Sequence, residues 1–163
     1  MVFLRSVHSG PESVRSSFCG PSHLEDSAFA LSVDEPLGGP VVIRVTGDID
    51  QSAVSVFGEC VAEAIVCGRS LVVDLLDVDY VHPAGVSVLE AAAARLSSHR
   101  CRAMVVCTAG LQRQLRSECA WLRVEYFDTV AAAVCAAVEA GRAREYSKAD
   151  PQSGETESND AGT

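Results

Sequence analysis

The amino-acid sequence predicts a single α/β domain with a mixed five-stranded sheet, an initial antiparallel hairpin followed by parallel strands, packed with about four helices. Three observations lead to this prediction. The chain has 163 residues, which is enough for one domain with a sizeable core and too few for two ordinary domains. Apolar residues make up 48% of it and aromatic residues only 6%, so the core is mainly aliphatic. Short apolar runs alternate with segments of helical period, which favours right-handed strand-helix-strand units.

The domain is predicted to occupy residues 28 to 145, between two ends of different composition. Residues 1 to 27 contain Ser, Gly and Pro breakers without a sustained apolar period, and are predicted to be a flexible N-terminal segment. Residues 146 to 163 are polar and contain one Lys against two Asp and two Glu. They are predicted to be a disordered acidic tail.

The first half of the domain has the pattern of a hairpin followed by a helix. Residues 28 to 33 (AFALSV) and 41 to 47 (VVIRVTG) are β-rich runs joined by a Gly-Pro turn, so they are predicted to pair antiparallel. Asp50 can cap the next helix and Gly68 can end it. The predicted apolar face of this helix carries Val54, Phe57, Val61 and Ile65.

The second half repeats a strand and a helix three times. The predicted strands cover residues 71 to 76, 103 to 108 and 122 to 127, and the first two are apolar nearly throughout, as in parallel strands covered on both faces. Thr108 and Asp128 can cap the helices that follow the last two strands. The predicted apolar helix faces are formed by Val86, Leu89, Ala93 and Leu96, by Leu111 and Leu115, and by Val130, Val134 and Val138.

Charge and hydropathy argue against nucleic-acid and membrane partners. The formal net charge is -9 and no cluster of Lys and Arg is present, so we expect no nucleic-acid binding. No run of 18 apolar residues occurs, so we expect no membrane insertion.

Cysteine usage and the missing catalytic motifs narrow the function further. The seven cysteines form an odd set without a Cys-x-x-Cys pair or a preceding secretory segment, which favours a cytoplasmic protein with buried, reduced thiols and no structural metal. Gly-rich phosphate loops and Gly-flanked Ser or Cys elbows are absent from the sequence. We therefore expect no enzymatic activity and no cofactor.

Two stretches, VTGDIDQSA at residues 45 to 53 and VVDLLDVDYVHPAGVSVLEAAAARL at 72 to 96, resemble a known family. In STAS domains, the fold of bacterial anti-sigma factor antagonists, a strand ends in Gly-Glu/Asp-hydrophobic-Asp; the match here is Gly47, Asp48, Ile49 and Asp50. A second strand of the type hydrophobic-hydrophobic-Asp-hydrophobic is matched by Val72, Val73, Asp74 and Leu75. The resemblance extends in order and spacing over residues 28 to 140.

One segment departs from the family pattern. Where the family places Asp-Ser-Ser-Gly at a helix start, this chain has His82, Pro83, Ala84 and Gly85. Proline suits the first helical position but has no hydroxyl, so the position that accepts phosphate in switchable members cannot be phosphorylated here. Three explanations remain open: a constitutive antagonist, one regulated in another way, or a domain that serves a different partner.

The resemblance implies a protein-binding module whose partner is an ATP-binding, kinase-like anti-sigma factor, sequestered to release a sigma factor. The implied partner-binding residues are Asp48, Asp50, His82, Pro83, Ala84, Gly85 and Val86. An alternative is a subunit or regulator of an ABC-type membrane lipid transporter, and a third is a nucleotide-binding STAS domain. The oligomeric state is left unassigned.

Several of these residues also have simpler interpretations. His82 could be a pH-sensitive contact or a general base, but a solvated loop side chain is the more common case. Asp48 and Asp50 could act as an acid-base pair or bind a cation; we favour a helix cap for Asp50 and an outward-facing position for Asp48. Asp74 is expected at a strand exit. Ser87 is expected to be an ordinary helix residue.

Overall fold

The computed structural model describes residues 13–18, 29–119 and 123–149, with the backbone alone for 13–18 and 144–149. The elements in chain order are β1 (Ser13–Phe18), β2 (Ala30–Pro36), β3 (Val41–Thr46), α1 (Val54–Val66), β4 (Leu71–Asp77), α2 (Pro83–Ser98), β5 (Ala103–Val106), α3 (Ala109–Glu118), β6 (Glu125–Phe127) and α4 (Val130–Ala149). The predicted fold is confirmed: the five expected strands are β2 to β6, and four helices accompany them.

The strands form one sheet in the order β1-β2-β3-β4-β5-β6. β1, β2 and β3 pair antiparallel, and β3 to β6 pair parallel. β1 is an additional strand that lies within residues 1 to 27 and pairs with β2 from Ser13 opposite Pro36 to Phe18 opposite Leu31. The sequence did not predict it. Most of residues 1 to 27, and residues 150 to 163, lie outside the described residues, so the flexibility of these ends stays a prediction.

One face of the sheet carries the larger core, under α1, α2 and α3. Consecutive parallel strands are neighbours, and right-handed crossovers therefore place all three connecting helices on the same side. The predicted apolar face of α2 is buried in full, as are the predicted leucines of α3. On α1 three of the four predicted residues are buried, and Val54 is only partly buried. These helices hold the carboxyl ends of β3 and β4 in fixed positions.

Among the described elements, α4 covers the opposite face, through alanines. Ala133 and Ala137 are buried with Val42, Val72, Met104 and Val106 of the sheet. The helical period predicts that this contact is formed by Val130, Val134 and Val138, but these valines are only partly buried. The alanine face lets the helix lie close to the sheet, and the valines pack along its sides.

Both ends of α4 differ from the prediction. The Thr129 hydroxyl accepts a hydrogen bond from the Ala132 N–H at 3.3 Å, so Thr129 rather than Asp128 supplies the cap. The helix continues to Ala149, four residues beyond the predicted boundary at residue 145. The helical backbone thus reaches into the segment predicted to be an acidic tail.

Asp74 lies in the middle of β4 and not at the predicted strand exit. Arg44 in β3 is its register partner, and the Arg44 Nε atom lies 3.7 Å from an Asp74 carboxylate oxygen. Arg44 Nη2 lies 3.9 Å from a carboxylate oxygen of Asp34 in β2. Burial raises the pKa of Asp74, and the arginine opposes that rise. The aspartate is therefore held within the sheet by a charge partner on the next strand.

The described cysteines divide into buried and exposed thiols. Cys60, Cys101 and Cys107 are buried and Cys119 is partly buried, whereas Cys67 and Cys135 are exposed. Burial was the default prediction for the cysteines in or next to the predicted helices and strands, namely Cys60, Cys67, Cys107, Cys119 and Cys135. It is wrong for Cys67 and Cys135. Desolvation raises the pKa of Cys60 to about 12 and that of Cys107 to about 11, so these two thiols stay protonated and unreactive near neutral pH.

Candidate partner-binding site

The two segments predicted to bind a partner meet at the carboxyl edge of the sheet. Residues 47–53 connect β3 to α1, and residues 78–82 connect β4 to α2. Because β3 and β4 are parallel neighbours, both connections leave the sheet at the same edge. We call these two connections the β3–α1 loop and the β4–α2 joint.

Backbone hydrogen bonds join the loop and the joint into a continuation of the sheet. Ile49 and Val81 form a parallel β-bridge, and both side chains are buried. The Ile49 N–H donates to the Tyr80 carbonyl at 3.0 Å, and the His82 N–H donates to the Ile49 carbonyl at 2.7 Å. The predicted site residues on the two segments are therefore held in one rigid arrangement.

Asp48 fastens the loop to the joint with its side chain. One carboxylate oxygen accepts the backbone N–H groups of Asp79 at 3.1 Å and Tyr80 at 2.9 Å. Asp48 was expected only to face outward. Its carboxylate also accepts hydrogen bonds from two backbone N–H groups more than thirty residues away in the sequence. Its carboxylate acts as a clamp between the two segments.

Asp50 caps the turn of residues 51–53 that leads into α1. It does not cap the helix as predicted, because α1 begins at Val54 and its N-cap residue, Ala53, has no side-chain cap hydrogen bond. One carboxylate oxygen accepts the Ser52 N–H at 2.8 Å, the Ser52 hydroxyl at 2.7 Å and the Ala53 N–H at 2.9 Å. The pKa of Asp50 is lowered, chiefly by the Ser52 hydroxyl and the Ala53 N–H, with a smaller contribution from attraction to His82. This carboxylate is therefore ionised over the whole neutral range.

His82 and Pro83 form the first positions of α2. Pro83 is the first helical residue, as its fixed φ angle predicts, and His82 is the N-cap with φ -60° and ψ 144°. The His82 Nδ1 atom accepts the Ala84 N–H at 3.2 Å. His82 is partly exposed, and its ring also serves as the N-cap, a role that the residue pattern did not predict.

At Gly85 of α2, side chains of the loop and of the joint pack closely against the helix. A Cβ atom at this position would lie 3.1 Å from Val81 Cγ1 and 3.2 Å from Ile49 Cγ2. Gly85 and Val86 are both buried, so they support the surface from below. Among the predicted site residues of α2, Pro83 and Ala84 are exposed to solvent.

α3 contributes to the site a residue, Gln114, that was not predicted from the sequence. The Gln114 side-chain amide donates a hydrogen bond to the Val81 carbonyl at 3.2 Å, directly before His82. Gln114 is partly buried next to Leu115 and three positions after Leu111, the two apolar residues of this helix face. The sequence offered one signal for this contact, a polar residue beside the apolar face of the helix. A partly buried polar side chain at such a position commonly needs a hydrogen-bond partner.

The surface around the joint is acidic, with apolar side chains at its margin. Asp48, Asp50, Asp77 and Asp79 lie in the two segments or at their start, and no Lys or Arg lies between residues 45 and 94 except Arg69 at the far edge of the sheet. Leu76 and Tyr80 are 40% and 41% exposed. Acidic and apolar side chains together suit contact with another protein better than contact with nucleic-acid phosphates.

The described residues contain no group of three or more His, Cys, Asp or Glu side chains placed to hold a metal ion. Asp48 and Asp50 direct carboxylate oxygens at backbone N–H groups, which is capping rather than cation binding. In the part of the chain that the structure describes, no helix is long and apolar enough to cross a membrane.

The mixed sheet, an antiparallel hairpin followed by parallel strands, agrees with the fold that the resemblance to STAS domains implied. A family model described as Mlab, STAS domain matches residues 34–120, which is more than half of the chain. The chain therefore belongs to the STAS domain family. A search of curated proteins finds no match.

Two solved structures support the fold. The anti-sigma factor antagonist SpoIIAA in its unphosphorylated form is similar with a TM-score of 0.54 and 16% identity, over 67% of this chain and 97% of that chain. An anti-sigma factor antagonist from Mycobacterium paratuberculosis is similar with a TM-score of 0.60 and 20% identity, over 67% of this chain and 93% of that chain. At these identities the similarity establishes a common fold.

Proposed function

We propose that this STAS domain is a protein-binding regulator of the anti-sigma factor antagonist type. It binds an ATP-binding anti-sigma factor through the β3–α1 loop and the exposed start of α2. Asp48, Asp50, His82, Pro83 and Ala84 form or flank the contact, and the buried Gly85 and Val86 support it. Binding rather than catalysis is the proposed activity.

The joining of the two segments is the observation that carries this proposal. The Ile49–Val81 bridge and the Asp48 clamp hold a loop and a helix start side by side. Such preorganisation lowers the entropy lost when a partner binds, because the surface is already ordered. The similar fold of two anti-sigma factor antagonists supports the same class of partner.

We further propose that phosphorylation at the helix start does not control this protein. Pro83 occupies the acceptor position and Ala84 follows it, so neither residue offers a hydroxyl. Ser87, the first hydroxyl along α2, donates to the Pro83 carbonyl at 3.3 Å and lies one turn further on. The partner's kinase activity therefore has no substrate at residues 82 to 86.

A binding experiment with two matched variants tests the proposed surface. The tagged chain is purified from its own cell, an ATP-binding partner is identified, and its affinity is measured by calorimetry. Ala84→Glu places a charged side chain on the exposed first turn, where an acidic residue also suits the helix dipole, so folding is preserved. We expect affinity to fall at least tenfold, because the contact must bury that charge.

Ala94→Glu is the control, since Ala94 is also exposed on α2 and lies about 15 Å further along the helix axis. It is expected to leave affinity unchanged. Equal effects of the two variants would place the contact elsewhere. Copurification of membrane-transporter subunits without an ATP-binding anti-sigma factor would favour the alternative function instead.

Mass spectrometry after incubation with the partner and ATP tests the second part. The native chain is expected to gain no phosphate at residues 82 to 86. The double variant His82→Asp with Pro83→Ser restores a family-like acceptor; it should gain phosphate and then bind more weakly through charge repulsion. Phosphate on Ser87 of the native chain, or unchanged affinity of the phosphorylated double variant, would contradict the proposal.

A further inference from the structure

The cap of α2 depends on the protonation state of one imidazole. His82 Nδ1 accepts the Ala84 N–H at 3.2 Å. A ring nitrogen can accept a hydrogen bond only while it carries no proton, so the capped form is the neutral imidazole with its hydrogen on Nε2. Imidazoles gain their second proton between pH 5 and 8, and a protonated ring has no acceptor left.

Pro83 makes the first turn especially dependent on this bond. Because proline has no N–H, the Ala84 N–H is the first backbone donor of α2. The next two donors, of Gly85 and Val86, bond to the His82 carbonyl at 2.7 and 3.2 Å. The Ala84 N–H therefore depends on the side chain, and it loses this partner when the ring is protonated.

The neighbouring charges act on the protonated ring in opposite directions. The helix N-terminus disfavours an imidazolium, because its backbone N–H groups carry partial positive charge. The β3–α1 loop carries Asp48 and Asp50, and attraction between Asp50 and His82 is part of the electrostatics of this site. The β4–α2 joint carries Asp79, with Asp77 just before it.

On the third neighbouring element, α3, the side chain that contacts the joint is the neutral Gln114. Arg113 is exposed beside it, and Arg116 lies over the Tyr126 ring, 5.0 Å from the ring centroid. Protonation thus exchanges a hydrogen bond within the helix start for attraction toward the acidic β3–α1 loop.

We propose that His82 is a proton-operated cap that regulates the partner-binding surface. The neutral imidazole holds the first turn of α2 in its binding arrangement, and the imidazolium releases the Ala84 N–H and draws the side chain toward Asp50. Binding is therefore stronger at pH 8 than at pH 5.5. This regulation rests on the proposed function, because it acts on the same surface.

The cap itself is tested without any partner. Backbone amide shifts of Ala84 and ring shifts of His82 are followed by NMR from pH 8 to pH 5.5. The Ala84 amide is expected to shift with the same midpoint as the His82 ring. In His82→Asn, whose side-chain oxygen caps without titrating, the Ala84 amide is expected to stay constant over this range. His99→Asn is the matched control, since His99 is exposed at the other end of α2, and it should leave the Ala84 titration intact.

The regulatory part is tested by measuring partner affinity over the same pH range. The native chain is expected to lose about fivefold in affinity from pH 8 to pH 5.5, the equivalent of one helix cap. The difference in affinity between the native chain and His82→Asn is measured at each pH, which removes titrations of the partner from the comparison. His99→Asn should behave as the native chain.

Two results would overturn the proposal. An Ala84 amide that does not follow the His82 ring, or that titrates equally in His82→Asn, would show that the imidazole is not the cap. Affinities of the native chain and His82→Asn that keep a constant ratio at every pH would show that the cap does not regulate binding. If no anti-sigma factor binds at any pH, the proposed function fails, and the NMR titration still decides whether the cap responds to protons.

Discussion

α1 and α2 begin side by side at the carboxyl edge of the sheet, and side chains of opposite character organise their starts. Before α1, the Asp50 carboxylate accepts three hydrogen bonds from Ser52 and Ala53. At α2, the His82 imidazole accepts one, from Ala84. A carboxylate with a lowered pKa keeps its role throughout the neutral range, whereas an imidazole loses its role when it gains a proton. On our two proposals, one partner-binding surface combines a fixed half with a proton-sensitive half.

The two helix starts are connected through the β3–α1 loop and the β4–α2 joint. Asp48 reaches from the β3–α1 loop to two N–H groups of the joint, and the Ile49–Val81 bridge extends the sheet between them. A change at the connection should therefore disturb both helix starts, whereas a change at one cap should stay local. Three substitutions test this difference.

The largest effect is expected from Gly85→Val. Its Cβ would approach Val81 Cγ1 and Ile49 Cγ2 at 3.1 and 3.2 Å, and the added methyl groups have no space between these buried side chains. We expect the free energy of unfolding to fall by about 3 kcal/mol, at the upper end of the cost of overpacking, because two segments must move apart. Urea unfolding followed by circular dichroism measures it.

Gly110→Ala provides the control for this substitution. It adds a Cβ to the first turn of α3, where the nearest atom is the Thr108 hydroxyl at an ordinary 3.8 Å. Stability should stay the same or rise slightly, since alanine favours the helix over glycine. A similar loss from both substitutions would mean that the loop and the joint are not closely packed against α2.

The second effect comes from Asp48→Ala, which removes the clamp and leaves its neighbours in place. Two N–H groups lose a charged acceptor, and water can replace it in part because the site is exposed. We expect a loss of about 2 kcal/mol, with a smaller loss for Asp48→Asn, whose amide oxygen can still accept. Asp79→Ala, an exposed neighbour, should change stability by less than about 0.5 kcal/mol. Equal stabilities of Asp48→Ala and Asp79→Ala would disprove the clamp.

The sequence was sufficient to predict the framework and to place the two candidate segments at one edge of the sheet. Apolar runs such as residues 71 to 76, separated by helical periods, predict the parallel strands because both sheet faces are covered. The Gly47–Asp50 and His82–Gly85 segments then fall at one edge through topology alone. Pro83 at the first helical position follows from its fixed φ angle.

Features that depend on contacts distant in sequence were missed. The acceptors of the Asp79 and Tyr80 N–H groups, and the role of Gln114, require residues more than thirty positions away. β1 is rich in Ser and shows no alternation of apolar and polar residues, so no local pattern predicts a strand there. It forms a strand because it pairs with β2. On α4, alanines rather than valines face the sheet, because close approach to the strands selects the smaller side chain.

The smallest effect is expected from Asp50→Ala, which removes the fixed cap alone. We expect a loss of about 1 kcal/mol at pH 7, and a smaller loss for Asp50→Asn, which keeps an acceptor but not the charge. Because the folded-state pKa of Asp50 lies below its unfolded value, the contribution of the charge is fully present above about pH 5 and disappears as the pH falls through the folded value.

The stability difference between the chain with Asp50 and its Asp50→Asn variant should therefore be constant from pH 7 to pH 5 and shrink below pH 4. Both are compared in a His82→Asn background, so that protonation of the imidazole cannot contribute. Ser55→Ala, an exposed position beyond this cap, serves as the control without an expected pH dependence. A difference that instead grew as the pH fell would mean that the Asp50 carboxylate is disfavoured in the folded protein, and the contrast between a fixed and a proton-sensitive helix start would be wrong.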